Sequence, residues 1–324
     1  MSDPRTLVQD RLTNHTWGLL GSQGHVLGLD IGSYGLRAAL IDLHSHTYTS
    51  VHRESPGGSA EAVFGAALEL AQDLLSEQHV TNDRLVRIGV GFPGPVDVRR
   101  GVALLSPRMP GWEQFPICER VEAVLGATTL VDNDANLIAL AEASFGAGRD
   151  IQNLFYLHLS TGVGGGLVLN GRLYHGATAT AGEIGHAVVG PIDPTGREGR
   201  PGTLEEHLSI SGLLRRAAAL GLETASLDDI FADGPAGRQV VAEAADLLGA
   251  RLSQISALID PNLIVLGGIV ARIGGERFLK QIEERVRAYD GQMITRHVPL
   301  VASVLGVESV AIGGLALALE SLEE

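Results

Sequence analysis

Five short stretches of this 324-residue chain carry side chains able to accept a proton or bind a hydroxyl, glycines that leave the backbone bare, or both. In Asn133-Asp134-Ala135-Asn136, Asp134 opens a predicted helix and can take a proton from a substrate hydroxyl while Asn133 holds that substrate. Asp and Asn are equally the favoured N-caps, so the same pair also reads as a plain helix start. In Ala181-Gly182-Glu183-Ile184-Gly185-His186, a carboxylate and an imidazole three residues apart can both reach one polyol, or can form only a surface pair. A di-metal carboxylate site also uses Glu-x-x-His, but it requires a second copy, which the chain lacks.

The other three stretches are turns. Asp30-Ile31-Gly32-Ser33-Tyr34-Gly35 places a carboxylate and two glycines between predicted strands. It can present N–H groups to a phosphate with Asp30 holding Mg²⁺, or serve as an ordinary hairpin. Ser160-Thr161-Gly162-Val163-Gly164-Gly165-Gly166 lets a phosphate approach the backbone closely and offers the Thr161 hydroxyl. Leu266-Gly267-Gly268 follows a strand and can admit a nucleotide base or ribose, although a simple turn explains it as well.

These residues need a scaffold that alternates strands and helices. Apolar runs bounded by turn residues predict strands over 26–30, 36–43 and 46–53, an opening meander. A helix over 59–78 and a strand over 86–92 follow, then a strand over 128–131 that leads into a helix over 134–145. Residues 133 and 134 thus stand where a strand passes into a helix, a junction that presents side chains to a cleft. The pattern then restarts: strands over 154–159 and 165–169, helices over 203–220 and 238–259, and a strand over 263–266. Two related α/β lobes are expected, although no primary-sequence repeat is visible.

Composition narrows the classes. With 45% hydrophobic residues the chain can bury a large core, and its length suits two domains. Twenty-four Lys and Arg against 38 Asp and Glu give a net charge of −14, contrary to a nucleic-acid-binding surface. The start lacks the basic and apolar regions of a secretory leader, and no stretch reaches membrane-spanning length. A cytoplasmic protein with no membrane partner is expected. Its single cysteine, Cys118, excludes an internal disulfide framework and any zinc site built on several cysteines.

Taken in order, DIGSYGLRAAL, GVGFPGPVD, SPRMPGW, VDNDAN, STGVGGGLVLNGRLYHG, AGEIGH, GRPGTLEEHLS and DPNLIVLGG resemble the pattern of the ROK family of sugar kinases and sugar-responsive repressors. AGEIGH followed by G-x-x-G-x-L-E is the most specific part. The resemblance implies a two-lobed actin-like ATPase fold of the α/β, ribonuclease-H-like class. The expected division is an extension over 1–24, a first lobe over 25–133 to which a helix over 307–324 returns, and a second lobe over 134–306. It implies ATP-dependent phosphorylation of a hexose or N-acetylhexosamine, with Asp134 as general base and the sugar held by Asn133, Glu183, His186 and Glu205. Asp30, Gly32, Thr161, Gly162, Gly164, Gly267 and Gly268 would serve the nucleotide and its phosphates, Asp30 also serving Mg²⁺. A homodimer is implied as well.

Three departures accompany the resemblance. The first phosphate loop carries Ser33-Tyr34 where the kinases carry Gly-Thr, and a ring there crowds the phosphates. The zinc motif of many members joins the histidine of AGEIGH to three cysteines, but the matching positions here are Gly196, Glu198 and Thr203, so no structural zinc is expected. Pro107-Arg108-Met109 lacks an asparagine that commonly lies near the sugar. The alternative is therefore a non-catalytic sugar-binding regulatory protein like the effector domain of a ROK repressor. The 24 residues before His25 are expected to be too few for the winged helix-turn-helix of roughly 60 residues that such repressors carry.

Overall fold

Runs of β-branched and aliphatic residues punctuated by glycine build two five-stranded sheets, each in its own compact unit. The structure, a computed structural model, describes residues 3–14, 24–32, 35–106, 110–192, 201–223, 226–232, 234–290 and 297–323. Unit 1 comprises Met1–Asp150, His175–Thr180 and Val304–Glu324, and unit 2 comprises Ile151–Tyr174 and Ala181–Ser303.

In unit 1, helix α1 (Pro4–Asn14) precedes β1 (His25–Gly32), β2 (Gly35–Asp42) and β3 (Thr47–Arg53). There follow α2 (Ala60–Glu77), β4 (Leu85–Phe92), the ribbon β5 (Val96–Asp97) and β6 (Val102–Ala103), α3 (Ile117–Leu125), β7 (Thr129–Asn133) and α4 (Asp134–Ser144). The sheet order is β3-β2-β1-β4-β7, antiparallel on one side of β1 and parallel on the other. Leu27, Leu29 and Ile31 pack with α2 and α3. Val26 packs with α1, α4 and the terminal helix, Ser309–Glu323. That helix lies backbone against strand, because a Cβ on Gly89 would overlap the Gly314 carbonyl.

Unit 2 repeats the plan. It contains β8 (Leu154–Leu159), β9 (Val163–Leu169), β10 (Arg172–Leu173), the ribbon β11 (Val188–Ile192) and β12 (Pro201–Thr203), α5 (Leu204–Leu208) and α6 (Ile210–Ala219). After these come α7 (Leu227–Phe231), α8 (Pro235–Ile259), β13 (Leu263–Gly267), α9 (Gly268–Tyr289) and β14 (Leu300–Ala302). Its order, β10-β9-β8-β13-β14, has the same succession of antiparallel and parallel joins. The apolar stripe of α8, Val241, Ala244, Leu248, Leu252 and Ile255, is buried with Phe278 and Ile282 of α9.

Three features differ from the sequence expectation. The helix over 203–220 is two helices, because extended Ser209 ends α5 and its hydroxyl caps α6 through the Gly212 N–H at 3.3 Å. The extension over 1–24 contains α1, whose Val8 and Leu12 are buried in the unit 1 core and whose Gln9 donates to the His46 carbonyl at 2.6 Å. The division between units falls after Asp150 instead of Asn133, since Leu140, Ala141 and Phe145 pack in the unit 1 core. Among the described residues, no helix is long and apolar enough to cross a membrane.

Candidate active site

The parallel strands β1, β4 and β7 end on one edge of the unit 1 sheet, where register sets Asp30 opposite Gly91 and Phe92 opposite Asn133. Side chains at such an edge face outward from the strand ends. Asn133 is the N-cap of α4: its Oδ1 accepts the Ala135 N–H at 2.9 Å and its Nδ2 donates to the Gly94 carbonyl at 3.0 Å. With the cap supplied by Asn133, Asp134 is the first helical residue, where the helix dipole favours a carboxylate. Asp134 Oδ1 also accepts the Ala135 N–H, at 2.8 Å.

Asp30 is 6% exposed and lies 3.5 Å from the Arg37 guanidinium. Burial pushes its carboxyl up to about 7; Arg37 opposes that shift and the nearby Asp134 charge adds to it. Gly32 keeps the space beside it clear, since a Cβ there would stand 3.1 Å from Asp30 Oδ1. A single buried carboxylate beside a glycine turn is a donor that suits a Mg²⁺ ion keeping water and phosphate oxygens as its other ligands.

One interaction at this edge has no precursor in the sequence reading. Asp132, 2% exposed at its side chain, meets His175 Nε2 at 2.5 Å through Oδ2. Its Oδ1 accepts the Asn133 N–H at 2.7 Å and the Asn136 amide at 2.9 Å. The bond to Asp132 raises the His175 pKa against burial, with Glu320 adding to the rise. A lone histidine 43 residues from its partner gives no local signal.

Glu183, His186, Glu205, Thr161, Gly162, Gly164, Gly267 and Gly268 belong to unit 2. The turn from β8 to β9 carries Thr161 and Gly162 and is closed by Ser160 N–H donating to the Gly162 carbonyl at 2.9 Å. Glu205, in the first turn of α5, accepts the Val163 N–H at 2.9 Å, so this carboxylate is fixed at the exit of the turn. The AGEIGH segment runs backbone to backbone along β9: a Cβ on Gly182 would overlap the Gly165 carbonyl, and one on Gly185 the Val163 carbonyl. Those glycines hold Glu183 and His186 beside the same strand. Glu183 Oε2 and His186 Nε2 are 3.7 Å apart, with side chains 43% and 73% exposed. Gly267 caps α9, and Gly268 has φ +89° with its Cα against the Leu159 backbone, a place only glycine fills without strain.

Thr203 closes a capping box with Glu206 at the start of α5. Gly196, Glu198, Ser33, Tyr34 and Pro107-Arg108-Met109 lie outside the described residues. Among the described residues, no group of three or more His, Cys, Asp or Glu could hold a metal ion.

Unit 1 thus offers a carboxylate at a helix N-terminus and a buried carboxylate near it, and unit 2 offers acceptors for vicinal hydroxyls beside a glycine turn. Carboxylates of the first kind can accept a proton, and those of the second can accept hydrogen bonds from hydroxyls. A model of the ROK family matches residues 26–321. The chain is 32% identical over 311 residues to a glucokinase of Halalkalibacterium halodurans, covering 89% of this chain and 93% of that protein. It is 25% identical over 319 residues to a putative xylose repressor of a Caldicellulosiruptor species, covering 92% of this chain and 79% of the relative. The crystal structure of a ROK family glucokinase from Streptomyces griseus, in complex with glucose and AMPPNP, superposes with a TM-score of 0.73 at 27% identity, covering 92% of this chain and 100% of that one.

Proposed function

The chain belongs to the ROK family and has its two-lobed, actin-like α/β fold, and from that premise we propose that it is an ATP-dependent kinase of a hexose or N-acetylhexosamine. The observation that carries the proposal is the division of labour at the start of α4. Asn133 supplies the cap, so Asp134, at the positive end of the helix, serves as general base. The similarity to a glucokinase and to a glucokinase structure holding glucose and AMPPNP supports a hexose and ATP as substrates.

In this reading Asp134 takes the proton of the acceptor hydroxyl as that oxygen attacks the γ-phosphorus of ATP, and ADP leaves. Asn133, Glu183, His186 and Glu205 hold the sugar through paired hydrogen bonds, each carboxylate able to accept two hydroxyls. The Val163 N–H bond to Glu205 settles that carboxylate before sugar arrives. Gly32, Thr161, Gly162 and Gly164 receive the phosphates, and Gly267 and Gly268 admit the nucleoside. Asp30 would hold Mg²⁺, which when bound neutralises charge on the transferring phosphoryl group. Positioning supplies most of the remaining rate enhancement.

The proposal extends to a protein without structural zinc, in line with the helix-capping role of Thr203. The proposal also includes a cytoplasmic location and, from the family resemblance, a homodimer. The similarity to a putative xylose repressor favours a second reading, a sugar sensor that uses the same Glu183, His186 and Glu205 without turnover. A coupled ADP-release assay over hexoses and N-acetylhexosamines separates the two.

A further inference from the structure

The six residues His175–Thr180 pack with unit 1, whereas the chain on either side of them, through Tyr174 and from Ala181, belongs to unit 2. This excursion contains Ala179 at φ +58°, a left-handed conformation that disfavours any residue with a Cβ. The segment is tied to unit 1 by the contact of His175 with Asp132. Asp132 lies at the end of β7, is almost fully buried, and divides its oxygens between His175 on one side and the Asn133 N–H and Asn136 amide on the other. The carboxylate that anchors the excursion is thus also the one that fixes the residue capping α4. Three residues after Thr180 the chain reaches Glu183.

We propose that His175 is a positioning residue: bound to Asp132, it fixes the point from which the chain runs into Glu183 and His186, and so sets how well these two are ordered to receive a sugar. This rests on the reading that Glu183 and His186 bind a sugar. The tie depends on pH. The acids acting on His175 are Asp132 of β7, whose other oxygen takes the neutral Asn136 amide, and Glu320 of the terminal helix, and both favour the imidazolium. Because the folded pKa lies above the ordinary 6.5, the full charge-assisted bond exists below 6.5 and weakens as pH rises through the raised value. Neutral imidazole can still donate from Nε2, so a plain hydrogen bond persists above that range.

The test uses the full chain as wild type, His175→Ala and His175→Gln. Amide hydrogen exchange over residues 175–186 is followed from about pH 6 to about pH 9, with correction for intrinsic rates. Calorimetry measures affinity for whichever hexose or N-acetylhexosamine the wild type binds best. Wild type should lose protection in this segment as pH rises. His175→Ala should exchange there roughly tenfold faster near pH 6 and bind sugar correspondingly more weakly. His175→Gln, which keeps an N–H donor for Asp132 without a charge, should recover most of the protection and show no pH trend. Unchanged exchange in His175→Ala, faster exchange spread over the whole chain, or faster exchange with unchanged sugar affinity would each overturn the proposal. If wild type binds no sugar in the panel, the kinase and sensor readings fall together, and the exchange data still decide whether His175 orders the segment.

Discussion

The fully buried carboxylate of Glu142 accepts the backbone N–H of Val304 at 3.0 Å, across 162 positions of sequence. The same Oε1 takes the Leu305 N–H at 3.3 Å, and Oε2 takes the Ala147 N–H at 2.8 Å. Glu142 therefore joins the end of α4 to the point where the chain re-enters unit 1 before its terminal helix. Glu142→Gln keeps one acceptor and turns an NH₂ toward an N–H. Leaving one buried donor unpaired costs about 1–3 kcal/mol. Thermal melting should fall by several degrees, and an unchanged midpoint would show that the carboxylate is dispensable.

Asp30 makes stability depend on pH in a defined direction. Its folded value of about 7 stands above the ordinary 3.8, so ionisation burdens the folded state. The burden is absent below 3.8, grows as pH rises, and is complete above about 7. Asp30→Asn removes it. Relative to wild type, the variant should gain roughly 2–3 kcal/mol between about pH 5 and about pH 8 in urea unfolding. A difference that stays constant over this range would contradict the assignment.

The sugar residues should separate affinity from folding. Glu183 is half-exposed, so Glu183→Ala should leave melting unchanged while it weakens sugar binding by at least tenfold. Glu205→Gln retains an oxygen for the Val163 N–H, so it should also fold normally yet bind sugar more weakly. Calorimetry beside a melting curve checks both. Unchanged affinity in either folded variant would remove that residue from the sugar site.

Much of this architecture is legible in the sequence where the signal is local. The run Leu154–Leu159 is a strand over the very residues its apolar run predicts, and α4 begins at Asp134 because a strand-ending Asn133 caps it. Signals that depend on partners far away are silent. The helix expected over 203–220 breaks at Ser209 because a serine can cap as well as continue, and here its backbone is extended and its hydroxyl takes the Gly212 N–H. Helix α1 has little amphipathic pattern, and its burial comes from Val8 and Leu12, with Leu7 partly buried beside them. His175 looks like an ordinary loop histidine until the fold brings Asp132 to it.

Steady-state ADP release by wild type and by Asp134→Asn over a panel of hexoses and N-acetylhexosamines, with sugar affinity measured alongside, tests the kinase assignment most directly. Wild type should turn over at least one sugar. Asp134→Asn should retain sugar binding, because its amide still accepts a hydrogen bond, and should lose roughly 10²–10⁴-fold in kcat as general-base help is removed. Absence of ADP release from wild type with every sugar it binds, or undiminished turnover in Asp134→Asn, would contradict the kinase assignment.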